Sequence, residues 1–121
     1  MVKEKVNPHH YTVARGRVFC LDPADGNEEL GMVVVISNEL HNQFSDHLIV
    51  ALVTNKNTEQ VRPSLEIACQ LEKKKLKILA SHFHTISKET FYKLESYLGK
   101  LDERTMEKLN ERIRSILDLD T

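Results

Sequence analysis

Apolar runs before Ser87 are short and rich in β-branched residues, whereas those after it recur at spacings of three and four. That change of period constrains the fold more than any other feature. Strands first and helices afterwards, without alternation, indicate an α+β chain with a compact antiparallel sheet or small barrel. The expectation is a barrel-like antiparallel sheet of about five to seven strands followed by two C-terminal helices.

Strand, loop and strand occupy residues 15–38. Residues 18–21 and 32–36 are the strands, and the ten residues between them hold Pro23, two glycines and four acids, a solvated loop by composition. A polar loop hung between strands often carries function. Residues 39–46 read as a short helical turn or loop. Residues 48–53 are apolar on both faces, hence a central strand, and Thr54 ends it. Residues 55–60 form a polar loop, and Pro63 opens a half-exposed strand in which Leu65 and Ile67 alternate with Ser64 and Glu66. A lysine-rich turn leads to a fifth strand at 76–83. Ser87 then caps a predicted helix carrying Phe91, Leu94, Leu98 and Leu101 on one stripe, which Gly99 stops. Asp102 opens a second helix, with Met106, Leu109, Ile113, Ile116 and Leu117 on one face.

At 121 residues and 14.0 kDa the chain reads as one domain, 1–121, with 1–14 as an extended lead-in. It is 40% hydrophobic and 29% charged, ordinary for a soluble protein, and no apolar run approaches the roughly 20 residues that cross a bilayer. Met1-Val2-Lys3-Glu4-Lys5 offers no apolar signal region, so the expected location is the cytoplasm, away from membranes. A net charge of -1 argues against nucleic-acid binding through a global positive field, although a local basic groove stays open. Lys73, Lys74, Lys75 and Lys77 read first as a charged hairpin that keeps a sheet edge soluble. Cys20 and Cys69 lack metal or redox spacing and read as buried free thiols. His9 and His10 have no acidic or cysteine partners nearby and read as surface residues, so no metal or cofactor is expected.

In this order the residues resemble the PemK/MazF-type toxins of bacterial toxin–antitoxin modules. The resemblance rests on Arg15-Gly16-x-Val18-Phe19, on Asp22-Pro23-x-x-Gly26-x-Glu28-x-x-Gly31 and on Val33-Val34-Val35-Ile36-Ser37-Asn38. Asn42, Ile49-Val50-Ala51-x-x-Thr54, Thr85-Ile86 and Leu98-Gly99-x-Leu101-Asp102 extend it. The resemblance implies a homodimeric, sequence-specific endoribonuclease that inhibits growth by cutting single-stranded RNA without metal. It also implies a cognate antitoxin as partner and operator DNA bound together with that antitoxin.

Such cleavage takes a proton from a ribose 2′-hydroxyl, stabilises charge on phosphorus oxygens and protonates the leaving oxygen. By resemblance Thr54 contacts the phosphate, and its alternative role is to cap a strand-end turn. Asn27, Glu28, Ser37 and Asn38 are the RNA-binding candidates. The family's Arg-Pro pair has no counterpart here, because only Met32 stands between Gly31 and Val33. A positioned arginine at a phosphoryl transition state is worth roughly three to five decades in rate. His82 and His84 are candidate acid and base, since imidazole serves either role near neutral pH. Strict alternation would set them about 6.6 Å apart on the face of Leu76, Ile78 and Ala80. Arg17 and Arg62 are alternative cations. The leading reading is a weakened endoribonuclease, and the alternative is a non-catalytic nucleic-acid- or antitoxin-binding module of the same fold. A gyrase poison of the CcdB type would carry a Trp in its C-terminal tail, and this chain has none.

Overall fold

The stretch that is apolar on both faces becomes β3, His47–Thr54, inside the sheet with a strand on either side. In the computed structural model, which describes residues 14–21, 31–92 and 97–118, five more strands join it. They are β1 (Arg17–Cys20), β2 (Met32–Val35), β4 (Glu66–Leu71), β5 (Lys74–Ser87) and β6 (Tyr97–Lys100). A short helix, α1 (Glu39–Phe44), joins β2 to β3; a 3₁₀ turn (Lys88–Tyr92) follows β5; α2 (Glu103–Ile116) follows β6. The antiparallel sheet runs β4-β5-β3-β2-β1-β6. The expected α+β fold with a barrel-like antiparallel sheet is present, curled into a half-barrel.

The curl has a visible contact. Leu71 on edge strand β4 lies 3.1 Å from where a Cβ on Gly99, on the opposite edge strand β6, would stand. Gly99 has a φ of 146°, which side chains tolerate poorly, so crowding and backbone both exclude a larger residue. Leu71 and Gly99 meet on the face that holds Val18, Val34, Ala51, Val53 and Ile78, which makes this the inner face of the curl. α2 closes it with buried Leu109 and with Met106, Ile113 and Ile116. Asp102 caps α2 by accepting from the Thr105 amide at 2.8 Å. The stripe read in the sequence is therefore correct, except that Leu117 falls beyond the helix and is 50% exposed.

The helix expected from Ser87 is replaced by the 3₁₀ turn and β6. Spacings of seven and three among Phe91, Leu98 and Leu101 fit a helix, but β6 completes hydrogen bonding along β1, which would otherwise be an open edge. Leu94 lies outside the described residues. β4 begins at Glu66, after a turn that contains Pro63, and the lysine-rich hairpin turns through positive φ at Glu72 and Lys73. Lys74 and Lys75 are exposed there, as expected, but Lys77 is buried. Both cysteines are free, yet Cys20 is exposed and only Cys69 is partly buried. Burial and the nearby Asp102 charge push the Cys69 thiol up to about 11.

β5 breaks step once. Leu52 faces Leu79 and Ala51 faces Phe83, so Ala80, Ser81 and His82 have no partner on β3. An odd number of extra residues exchanges the faces of everything beyond them. Ile78 therefore points inward with Val53, while His84 stands opposite Val50 and Ile86 opposite Leu48 on the outer face. The expectation that His82 and His84 both lie on the face of Leu76 and Ile78 fails at His84 for this reason.

Candidate functional site

The outer face has its own small core. Phe19, Val33, Val35, Leu48, Val50 and Ile86 pack there, and Phe91 from the 3₁₀ turn meets Phe19 edge to face at 5.0 Å between ring centres. Around this core the same face presents polar groups. Arg17 donates to the Tyr97 hydroxyl at 3.0 Å and lies over that ring, 5.7 Å from its centre. Arg15 instead reaches Asn110 on α2.

Thr54 ends the outer-face row of β3, directly opposite Lys77. Its hydroxyl oxygen accepts from the Lys56 amide at 3.1 Å, a turn cap at the strand end. Ser37 is buried, hydrogen-bonds the Asn42 side chain and accepts from the Ile49 amide at 3.2 Å. Asn38 caps α1 by accepting from the His41 amide at 2.8 Å. Asn27 and Glu28, like His9 and His10, lie outside the described residues. His82 and His84 are exposed. His84 is level with Val50, four residues along β3 from Thr54, hence about 13 Å away at strand rise. The structure thus places Thr54 and His84 on one face without bringing them together, and His82 sits in the bulge between them.

A cluster that alternation in the sequence does not reveal adjoins Thr54. Glu66 and Lys77 are both buried, with side chains 11% and 8% exposed, and their charged atoms lie 3.2 Å apart. Lys77 also donates to the Gln60 carbonyl at 3.0 Å, and Glu66 accepts from the Arg62 amide at 3.0 Å. The pair clasps the 55–65 loop over this corner of the sheet. Arg62 keeps its guanidinium largely in solvent, 76% exposed and 4.0 Å from Glu66. The Arg62 amide, followed by hydrogen bonding and charge from Lys77 and the Arg62 charge, holds the Glu66 carboxyl below its usual range against the opposing effect of burial. Pairing Leu65 and Ile67 as the inward positions hides Glu66. The usable signal is Lys77 itself, a charge set between the apolar Leu76 and Ile78. Among the described residues no three His, Cys, Asp or Glu side chains converge as a metal site, and no helix is long and apolar enough to cross a membrane.

This architecture is that of solved MazF chains. An endoribonuclease from a Mycobacterial species, in complex with its cognate antitoxin, superposes with a TM-score of 0.71 at 21% identity, covering 89% of this chain and 97% of that one. The MazE-MazF structure (Form-III) from Deinococcus radiodurans gives 0.67 at 15% identity, covering 91% and 100%. At such identities the likeness shows the fold. Residues 14–117 match the family described as "PemK-like, MazF-like toxin of type II toxin-antitoxin system". The Endoribonuclease MazF of Staphylococcus saprophyticus is 32% identical over 118 residues, 88% of this chain and 92% of that one. The chain belongs to the PemK-like, MazF-like toxins and is a homologue of an endoribonuclease.

Proposed function

We propose that the chain is a slow, metal-independent endoribonuclease, a cytoplasmic homodimer that cuts single-stranded RNA and is neutralised by a cognate antitoxin. The observation that carries this reading is the pairing of a retained Thr54 with an altered start to β2. Thr54 keeps its place at the end of β3, but β2 begins Met32-Val33 directly after Gly31, with no Arg-Pro pair. Hydrogen bonds made equally to ground and transition states contribute affinity, whereas a cation near phosphorus contributes most as charge develops there. Binding should therefore outlast catalysis. Lys77 is already committed to Glu66 and Gln60, and the exposed Arg62 guanidinium, 4.0 Å from Glu66, is assigned as the cation beside this corner. Acid and base are assigned to His82 and His84, with His82 nearer to Thr54.

The second reading, a non-catalytic RNA- or antitoxin-binding module, draws on the internal bonds of Thr54, Ser37 and Asn38. Single-turnover cleavage of single-stranded RNA by the purified chain decides between them. Slow cutting without added metal that Thr54→Val abolishes is the expected result. Turnover near about one per second, typical of a competent enzyme, would overturn the weakened reading, and RNA retained without any cleavage would establish the non-catalytic one.

A further inference from the structure

One residue holds Arg62 at three points. The Arg62 backbone N–H donates to Glu66 Oε1 at 3.0 Å, and the Arg62 carbonyl accepts from the Glu66 N–H at 2.8 Å. The Arg62 guanidinium, 76% exposed, has its Nε 4.0 Å from Glu66 Oε2. An exposed contact of that length holds little by itself, so the backbone bonds fix the residue while its side chain stays open to solvent. Glu66 is fixed in turn. Its Oε1 lies 3.2 Å from Lys77 Nζ, which also donates to the Gln60 carbonyl at 3.0 Å. Lys77 and Thr54 are cross-strand partners between β5 and β3, and Glu66, opposite Leu79, is a diagonal neighbour of Lys77 on the same face. A line of contacts therefore runs from the strand that carries Thr54 to the backbone of Arg62, with buried charge at its centre.

We propose that Glu66 and Lys77 are positioning residues for RNA cleavage, setting the place of the Arg62 guanidinium relative to Thr54. The inference rests on the assignment of Arg62 as the cation in the reading above. Stability alone does not account for the pair, because apolar residues of similar volume often serve a buried position as well as an ion pair does. What the pair supplies is one geometry. Moving Glu66 away from the Arg62 amide would strand a buried carboxylate, and moving Lys77 would strand a buried ammonium. The two carboxylate oxygens also divide the work. Oε1 takes both fixing donors, whereas Oε2 faces the guanidinium from a distance that leaves its N–H groups free to meet phosphate oxygens. A loop that presents such a cation gains from being fixed, since a misplacement of about 1 Å can cost about a hundredfold in rate.

The test is a double-mutant cycle on the single-turnover rate of the full chain with single-stranded RNA. Glu66→Ala should slow cleavage by about tenfold to a hundredfold while RNA affinity changes by less than about threefold. Arg62→Ala should slow it at least as much, and adding Glu66→Ala to that variant should cost little more, because Glu66 acts through Arg62. Lys77→Met added to Glu66→Ala removes the stranded ammonium and should restore thermal stability without restoring the rate. Glu66→Gln, whose side-chain oxygen can still accept from the Arg62 amide, should recover much of the rate lost in Glu66→Ala. Without any RNA, the Arg62 amide should exchange with solvent faster in Glu66→Ala than in wild type. Additive losses at Glu66 and Arg62, a rate that returns together with stability, or unchanged exchange at the Arg62 amide would each overturn the positioning role. A wild-type chain that leaves RNA uncut would overturn the activity reading and this inference with it. One that cuts, but with additive losses, would overturn the inference alone.

Discussion

The two faces of the sheet are built on different terms. The inner face carries the larger apolar core, curled around α2 and sealed by Leu109. The outer face surrounds a smaller apolar cluster with charge: Arg17 on Tyr97, the Glu66–Lys77 clasp, and Thr54 at the corner. Burial of apolar area needs no directional partner, so the inner face tolerates change that conserves volume. Buried charge works only in a fixed arrangement, because a lone member is costly. The outer face is therefore where single substitutions should alter a loop or a reaction without unfolding the molecule.

The largest contrast should come from the outer face gaining the group it lacks. Inserting an Arg-Pro pair between Gly31 and Met32 puts proline at a strand start, where a missing amide is tolerated. Substituting residue 31 itself would force a side chain onto a φ of 61°. If a missing cation limits the rate, cleavage should rise by about three decades or more while RNA affinity changes by less than about tenfold. Equal gains in both would refute the assignment. On the inner face Leu109→Ala, at a position 0% exposed, should cost about 2–5 kcal/mol in urea unfolding. A cost under about 1 kcal/mol would mean that α2 is not the seal described.

How legible each face was in the sequence follows the same division. Period alone identified β3 as central and α2 as amphipathic, because each element buries a long, regular apolar set. It failed at 87–101, where Phe91, Leu98 and Leu101 satisfy a helical spacing but long-range pairing with β1 decides the outcome. It failed again at His84, because a bulge leaves no mark in composition and yet reverses the side chains beyond it. Thr54, Ser37 and Asn38 were legible as motif positions. The hydrogen bonds that engage them, with Lys56, Ile49 and His41, were not. Glu66 stayed hidden because its partner Lys77 lies across a hairpin, and no local pattern joins them.

Breaking that clasp gives a middle-sized effect. Among the described residues, Glu66→Ala leaves buried Lys77 with the Gln60 carbonyl as its partner, and the expected loss is about 1–3 kcal/mol. Lys77→Met in the same chain should recover much of it, since an apolar isostere removes the stranded charge. A double-mutant cycle with coupling under about 0.3 kcal/mol would show that the pair contributes little more than its separate parts. Faster hydrogen exchange at residues 55–65 in Glu66→Ala, with β2 unchanged, would confine the effect to the loop.

The smallest expected effect is on pH dependence, and its sign follows from the Glu66 environment. The folded carboxyl titrates below its usual value because the Arg62 amide and Lys77 favour the ionised form. Above the ordinary glutamate value of about 4.3 the group is ionised in both states and its contribution is fully present. As pH falls below that value, the unfolded chain binds the proton first, and the contribution is lost as pH passes through the folded value. Urea midpoints measured from pH 7 to pH 3 should therefore fall more steeply for wild type than for Glu66→Gln, and the two curves should converge toward the acid end. Parallel curves would mean that the Glu66 charge does no more in the fold than in the unfolded chain, and the outer-face clasp would then hold the loop through its neutral hydrogen bonds alone.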